Sequence, residues 1–90
     1  MKTTKDIKEL NGRLRAIIQA SDSLCDNDSM NLTFNTGNAG KEVFKAKCKT
    51  SEDGKYTTIN ITIKTNDEAT KKYAQITYCH ESNEYVYLIY

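Results

Sequence analysis

Apolar and polar residues alternate between positions 55 and 65, which predicts a β-strand that is buried on one side. The apolar positions of this segment are Ile59, Ile61 and Ile63. Most of its residues are β-branched, as is typical of strands. The dipeptide Asp53-Gly54, just before the strand, favours a two-residue type I′ turn. The pattern therefore predicts a hairpin between this strand and a preceding strand at 42–51.

A turn at Asp53-Gly54 also predicts the register of the hairpin, because the numbers of paired residues must then sum to a constant. The apolar pairs expected on one face are Cys48 with Ile59, Ala46 with Ile61, and Phe44 with Ile63. The polar pairs expected on the other face are Lys45 with Thr62, Lys47 with Asn60, and Lys49 with Thr58. Apolar residues of one strand meet apolar residues of the other, which supports this register.

The first part of the chain carries apolar residues at helical spacings, which predicts an amphipathic helix over about 4–20. The apolar positions are Ile7, Leu10, Leu14, Ile17, Ile18 and Leu24. We expect Thr3 or Thr4 to cap the start of this helix. Glu9 is expected to pair with Arg13 one turn later. Serine, aspartate and asparagine residues after position 20 compete for backbone hydrogen bonds and predict its end.

A second alternating segment predicts a strand at 30–36, before the first hairpin. Its apolar positions are Met30, Leu32 and Phe34. A five-residue loop would pair Thr36 with Glu42 across the turn that follows. The apolar pairs in that register are Phe34 with Phe44, Leu32 with Ala46, and Met30 with Cys48.

The segment after Lys72 predicts another hairpin, whose register the sequence leaves open. A loop of two or four residues pairs Ile76 with Ile89. A loop of three residues pairs Tyr78 with Leu88. The polar residues that precede this hairpin are expected to form either a loop or one helical turn.

We expect these elements to form one α+β domain over residues 1–90. In this fold the N-terminal amphipathic helix packs on one face of a five-stranded, mainly antiparallel sheet built from meander hairpins. The predicted strands cover about 30–36, 42–51, 55–65, 73–80 and 85–90. Ninety residues are enough for one hydrophobic core of ordinary stability.

Thirteen basic and twelve acidic residues leave the chain almost neutral, which removes the general electrostatic argument for binding nucleic acid or acidic membranes. Binding to either would need a local patch of charge. The N-terminal segment lacks the apolar run of a signal peptide, and no segment is long and apolar enough to cross a bilayer. Three cysteines without C-x-x-C spacing favour reduced thiols. We therefore expect a cytoplasmic protein without a membrane partner.

Residues 79–81 read Cys-His-Glu, the residue types of a nucleophile, a base and an orienting group. Adjacent residues of a strand point to opposite faces, so Cys79 and His80 cannot meet as a dyad within one strand. The cysteines and the histidine also lack the paired spacing of a zinc site. Segments 36–42 and 26–28 lack residues that phosphate-binding and calcium loops require. We therefore expect no catalytic residue, no metal site and no cofactor.

A stripe of lysines is expected on the face of the sheet opposite the apolar residues. Its members are Lys41, Lys45, Lys47, Lys49 and Lys64. Such a stripe can follow a phosphate backbone, with the C-terminal tyrosines stacking on bases. It can also simply keep an exposed sheet soluble and prevent edge pairing. Near-neutral charge and the scarcity of arginine favour the second interpretation.

The last predicted strand reads YVYLIY and is apolar on both sides. One helix cannot cover both sides, and strands with two apolar sides are usually covered on both. Most of the tyrosines lie in the last hairpin, and tyrosine is enriched in interface hot spots. We therefore predict a protein interface here. Its expected residues are Tyr73, Tyr85, Tyr87, Ile89 and Tyr90.

These patterns favour a small non-catalytic protein-interaction module. The excess of lysine over arginine is typical of AT-rich genomes and of small proteins from phages and mobile elements. We expect an inhibitor or adaptor of that kind, which binds a protein partner or a second copy of itself. The alternative function is nucleic-acid binding through the lysine-lined face of the sheet.

Overall fold

A short helix packs on one face of a six-stranded antiparallel sheet in the computed structural model of the protein. The structure describes residues 1–90, apart from the side chain of Ala39. The strands and the helix are β1 (Lys2–Thr4), α1 (Gly12–Ala20), β2 (Ser29–Asn35), β3 (Lys41–Thr50), β4 (Tyr56–Thr65), β5 (Lys71–Cys79) and β6 (Glu84–Ile89). Single 3-10 turns cover Ile7–Glu9, Ser21–Ser23 and Gly37–Ala39. The strand order is β1-β6-β5-β4-β3-β2, so β2 and β1 form the two edges of the sheet.

The predicted α+β class and the antiparallel sheet are confirmed, but the sheet has six strands instead of five. The missed strand is β1, which pairs with β6 and overlaps the predicted start of the helix at Thr4. Thr4 ends this strand and does not cap a helix. Its hydroxyl donates to Glu9 Oε2 at 2.7 Å and accepts from the backbone N–H of Asp6 at 3.0 Å. These bonds stabilise a turn between the strand and the first 3-10 helix.

The helix begins eight residues later than predicted, at Gly12. Asn11 caps it, because its side-chain oxygen accepts from the backbone N–H of Leu14 at 2.9 Å. The predicted pair of Glu9 and Arg13 is wrong, since Arg13 Nε instead donates to Glu42 Oε1 at 3.0 Å. Within the described residues, none of the helices has the length and apolar character needed to span a membrane.

The core lies between α1 and the face of the sheet that we call the covered face. Its buried side chains are Leu10, Leu14, Ile17, Phe44, Ala46, Ile59, Ile61, Ala74 and Ile76. Cys48 is also buried on this face, with 3% of its surface exposed. The helical spacing therefore predicted correctly which N-terminal residues face the core, although only part of that segment is helical.

The register predicted for β3 and β4 is confirmed at all six predicted pairs. The predicted two-residue turn is wrong, because β3 ends at Thr50 and β4 begins at Tyr56. Of the two predicted central residues, only Gly54 has a positive φ, 71°. The backbone N–H of Ser51 donates to the carbonyl of Tyr56 at 2.9 Å, which closes a four-residue loop. Adding one loop residue on each side leaves the sums of paired numbers unchanged, so the register survives.

The register predicted for β2 and β3 is wrong by two residues. The observed apolar pairs include Leu32 with Phe44 and Met30 with Ala46. Thr36 meets Gly40 instead of Glu42, because its N–H and its hydroxyl both donate to the Gly40 carbonyl, at 2.8 and 2.7 Å. Gly40 has a φ of 97°, which favours glycine. A shift of two residues preserves alternation, so each side chain stays on its predicted face.

Neither register considered for the last hairpin is observed. Tyr78 pairs with Tyr85 and Ile76 pairs with Tyr87, around a four-residue loop at 80–83. The polar segment before β5 is a turn and not a helix, and β5 begins at Lys71. The register of β4 and β5 shifts between Ile61 and Thr62, which marks a β-bulge.

Candidate functional site

The face of the sheet turned away from α1, which we call the open face, carries a cluster of lysines. On β3 the exposed lysines alternate with the buried residues of the covered face. The pairing of β2 to β5 places six lysines on this face. We call them the lysine patch: Lys41, Lys45, Lys47, Lys49, Lys64 and Lys72. Five of them are the lysines predicted from the sequence.

Lys72 is the member of the patch that sequence reasoning missed. The bulge between β4 and β5 pairs Lys72 with Thr62, whose other neighbour is Lys45. The three side chains therefore form one row across the open face. Lys71 pairs with Ile63 and so lies on the opposite side of the sheet. Two adjacent lysines thus point to different faces, which provides a matched pair for mutagenesis.

Acidic residues are almost excluded from the open face. Within the described strands, Glu84 is the one acidic residue whose register puts it there, beside Cys79. Glu42 lies on the covered side and pairs with Arg13. The other ion pairs among the described residues join Lys55 to Glu81 at 3.6 Å and Lys71 to Glu68 at 3.8 Å. No member of the lysine patch takes part in any of these pairs.

Two exposed tyrosines flank the lysine patch. Tyr56 pairs with Cys79 at one end of the open face and is 45% exposed. Tyr90 follows β6 at the other end and is 59% exposed. The ring of Tyr90 lies 5.6 Å from Lys72 Nζ, within the range of a cation–π contact. The open face therefore combines cations with accessible aromatic rings.

The surface between the lysines and β6 is neutral. It carries the side chains Thr58, Asn60, Thr62, Gln75 and Thr77. The hydroxyls of Thr58 and Thr77 lie 3.1 Å apart, in hydrogen-bonding contact. Beyond them, the half-buried Val86 and Leu88 of β6 complete the open face. This strip can contact a ligand through hydrogen bonds and apolar surface.

The residues predicted as a protein interface do not share one surface. Tyr73, Tyr85 and Tyr87 are partly buried and pack against the core, and the Tyr73 ring lies 4.9 Å from that of Phe44. Desolvation raises the pKa of Tyr85 above its ordinary value, as expected for a ring that faces the core. Ile89 is 45% exposed at the edge of the covered face. Of the predicted residues, Tyr90 alone lies on the open face.

A cleft of about 320 Å³ opens on the covered face, between the C-terminal end of α1 and the ends of the β3–β4 and β5–β6 hairpins. Side chains that line it include Ile18, Asp22, Cys48, Tyr78 and His80. His80 Nε2 lies 2.7 Å from the hydroxyl of Thr57, so its ring is engaged at the rim. Burial raises the pKa of the Cys48 thiol, which leaves it protonated and poorly nucleophilic at neutral pH. The cleft thus lacks an activated nucleophile among its described residues.

The other motifs weighed in the sequence serve local structure. Asp26 Oδ1 accepts from the backbone N–H of Thr50 at 2.8 Å, and Asp28 Oδ2 accepts from that of Cys25 at 3.1 Å. The glycine-rich loop forms a single 3-10 turn that leads into β3, where a phosphate-binding loop leads into a helix. In the part of the chain that is described, no group of three His, Cys, Asp or Glu residues is arranged to hold a metal ion.

Comparison of the chain with protein-family models, curated proteins and solved structures finds no significant match.

Proposed function

We propose that the protein binds nucleic acid through the lysine patch, without catalysis. The observation that carries the proposal is the composition of the open face, which holds six lysines and one acidic residue. A flat positive surface of this kind attracts phosphates and displaces their counterions. No helix covers it, and Lys45, Lys47 and Lys49 are exposed.

The near-neutral net charge does not oppose this proposal, because the charges are segregated. The chain has thirteen basic and twelve acidic residues in total. Since the open face takes six of the basic residues and one of the acidic ones, the rest of the molecule carries an excess of acid. Salt screens charges beyond about 8 to 10 Å, so a ligand on the open face responds mainly to the local patch.

The lysines are available for phosphate contacts. Binding would not have to break an ion pair, since no member of the patch makes one among the described residues. Lys49 Nζ donates only a 3.3 Å hydrogen bond to Asn27 Oδ1. Both arginines, Arg13 and Arg15, lie on α1. Lysine binds phosphate as a flexible point charge, so we propose binding with little sequence preference.

Fluorescence anisotropy with a dye-labelled oligonucleotide tests the proposal. We expect binding that weakens with salt. If five or six phosphates are contacted, the log–log slope should be about −3.5 to −4.2 for a single strand and about −4.5 to −5.4 for a duplex. Lys45→Glu combined with Lys47→Glu should abolish binding. The matched control is Lys8→Glu with Lys71→Glu, which changes the net charge equally away from the open face. It should retain binding within about threefold.

Two outcomes would overturn the proposal. In the first, the wild type does not bind the oligonucleotide even at low salt. The lysines would then only keep an exposed sheet soluble. In the second, both double variants lose affinity equally, so that total charge matters and the open face does not.

A second candidate function is protein binding at the C-terminal end of β6, within the hairpin for which the sequence predicts an interface. The observation that favours it is that β1 pairs only with Tyr85–Tyr87, which leaves the exposed Ile89 beyond the end of the pairing. Light scattering of the wild type and of Ile89→Asp tests self-association. Thr3→Asp on the same edge is the control. This function would be contradicted if the wild type is monomeric and if each variant retains every partner that co-purifies with the wild type.

A further inference from the structure

We infer that the nucleic acid bound by the open face is single-stranded, and that unpaired bases stack on Tyr56 and Tyr90. This inference rests on the proposed function and specifies its ligand. Proteins that bind single strands combine a positive surface for the backbone with aromatic rings for the bases. The open face has both features, since the two rings flank the lysine patch.

Tyr56 and Tyr90 are the two exposed tyrosines among the described residues. The four large hydrophobic side chains that are well exposed are Met1, Tyr56, Ile89 and Tyr90. The remaining tyrosines are held elsewhere: three pack against the core, and the hydroxyl of Tyr78 donates to Asn83 Oδ1 at 2.6 Å. The accessible tyrosine rings therefore lie on the same face as the lysines and not on the covered face.

The positions of the rings suit one nucleic-acid strand that crosses the open face obliquely, because Tyr56 is on β4 and Tyr90 follows β6. Tyr56 lies on β4, two residues before Thr58, the partner of Lys49, so it stands diagonally next to the end of the lysine row on β3. Tyr90 lies beside Lys72 at the other end. Lys72 covers one side of the Tyr90 ring, so a base can stack on the other side while Lys72 reaches the adjoining phosphate.

A duplex fits this surface poorly. Strands lie about 4.8 Å apart, so a six-stranded sheet is roughly 24 Å wide and cannot enter a major groove about 12 Å wide. All six lysines of the patch lie on β3, β4 and β5, which are inner strands of the sheet. In a duplex the bases stack on each other, so Tyr56 and Tyr90 would have no base to contact.

The test compares a dye-labelled single strand with a duplex of the same length, using the wild type and four variants. We expect the single strand to bind at least about tenfold more tightly. Tyr56→Ala and Tyr90→Ala should each weaken single-strand binding about fivefold or more, while Tyr56→Phe and Tyr90→Phe retain it. The salt slope should stay unchanged in the tyrosine variants, because no charge is removed.

Heparin serves as a polyanion that has no bases. The tyrosine-to-alanine variants should bind heparin as the wild type does, whereas Lys45→Glu with Lys47→Glu should not. Circular dichroism checks folding, which exposed substitutions should leave intact.

The results separate this inference from the proposed function. If the duplex binds as tightly as the single strand and the alanine variants lose nothing, the inference is wrong, but the lysine patch still binds nucleic acid. If the tyrosine-to-alanine variants also lose affinity for heparin, the rings do not act through bases and the inference also fails. If neither nucleic acid binds, both proposals fail.

Discussion

The two faces of the sheet are built from alternate residues of the same strands, yet they differ in almost every physical property. On β3, Phe44 and Cys48 are almost fully buried, while Lys45 and Lys47 are exposed. The covered face is apolar, and Arg13 and Glu42 form an ion pair at its margin. The open face holds unpaired cations on a neutral polar surface.

This difference means that the residues proposed to bind a ligand are separate from the residues that stabilise the fold. The covered face supplies the hydrophobic free energy of folding. We expect the exposed lysines of the open face to contribute little to folding, so their replacement should leave the structure intact. Substitutions on each face should therefore have different effects on stability.

The largest effect is expected from Phe44→Ala. Phe44 is 1% exposed and its ring contacts those of Phe34 and Tyr73, at 5.5 and 4.9 Å between centroids. Its loss should lower the free energy of unfolding by about 3 to 5 kcal/mol. Lys45→Ala, one residue along the strand, should change it by less than about 0.5 kcal/mol. Urea denaturation measures both, and equal losses would contradict the separation.

Thiol reactivity should differ between the faces by about 100-fold or more. Cys48 on the covered face needs an opening of the structure to react, and burial raises the pKa of its thiol. Hydrogen bonds from Ser82 lower the pKa of the Cys79 thiol on the open face, so more of it is thiolate at neutral pH. Timed labelling with a thiol reagent measures the ratio.

Two variants isolate the thiols, and each carries Cys25→Ser. Cys79→Ala leaves Cys48 as the reactive thiol, and Cys48→Ala leaves Cys79. The two rates should converge in urea, and Ser82→Ala should slow labelling of Cys79 at neutral pH by raising its pKa. Rapid native labelling of Cys48 would disprove its burial.

Alternation of apolar and polar residues predicted the two faces well, because it reports side-chain direction and tolerates errors of two residues in register. The β2–β3 pairing shows this, since Phe44 meets Leu32 instead of Phe34 and both lie on the covered face. The exact pairing depends on loop geometry. The φ of 97° at Gly40 leaves no signal in the sequence beyond the presence of a glycine.

Tertiary contacts determine two features that the sequence pattern did not predict, namely strand β1 and the position of Lys72. The three residues of β1 are too few to show a period, and the apolar spacing around them fits a helix. The last member of the lysine patch, Lys72, depends on a bulge in β5, which lies in a polar segment without alternation. The net charge also gave no indication of the lysine patch, because the distribution of charges over the two faces depends on how the strands pair.

The ion pair at the margin of the covered face should contribute modestly. Arg13 pairs with Glu42 and stacks over Phe34, with Cζ 4.1 Å from the ring centroid. The pair is partly exposed, so Arg13→Ala should cost about 1 kcal/mol. Arg13→Lys should restore only part of this, since lysine cannot stack a planar group. If Arg13→Lys restores the full free energy of unfolding, measured in urea, then the positive charge alone matters.

The smallest effect is expected where lysines are replaced on the open face. Alternate lysines on β3 lie about 7 Å apart, where two unit charges in water repel by about 0.6 kcal/mol before screening. Changing Lys45, Lys47 and Lys49 together to threonine removes this repulsion and introduces residues that favour strands. We expect a gain of a few tenths of a kcal/mol in urea unfolding, which shrinks as salt is added. A loss of more than about 1 kcal/mol would mean instead that the lysine stems pack on the sheet and that the open face also stabilises the fold.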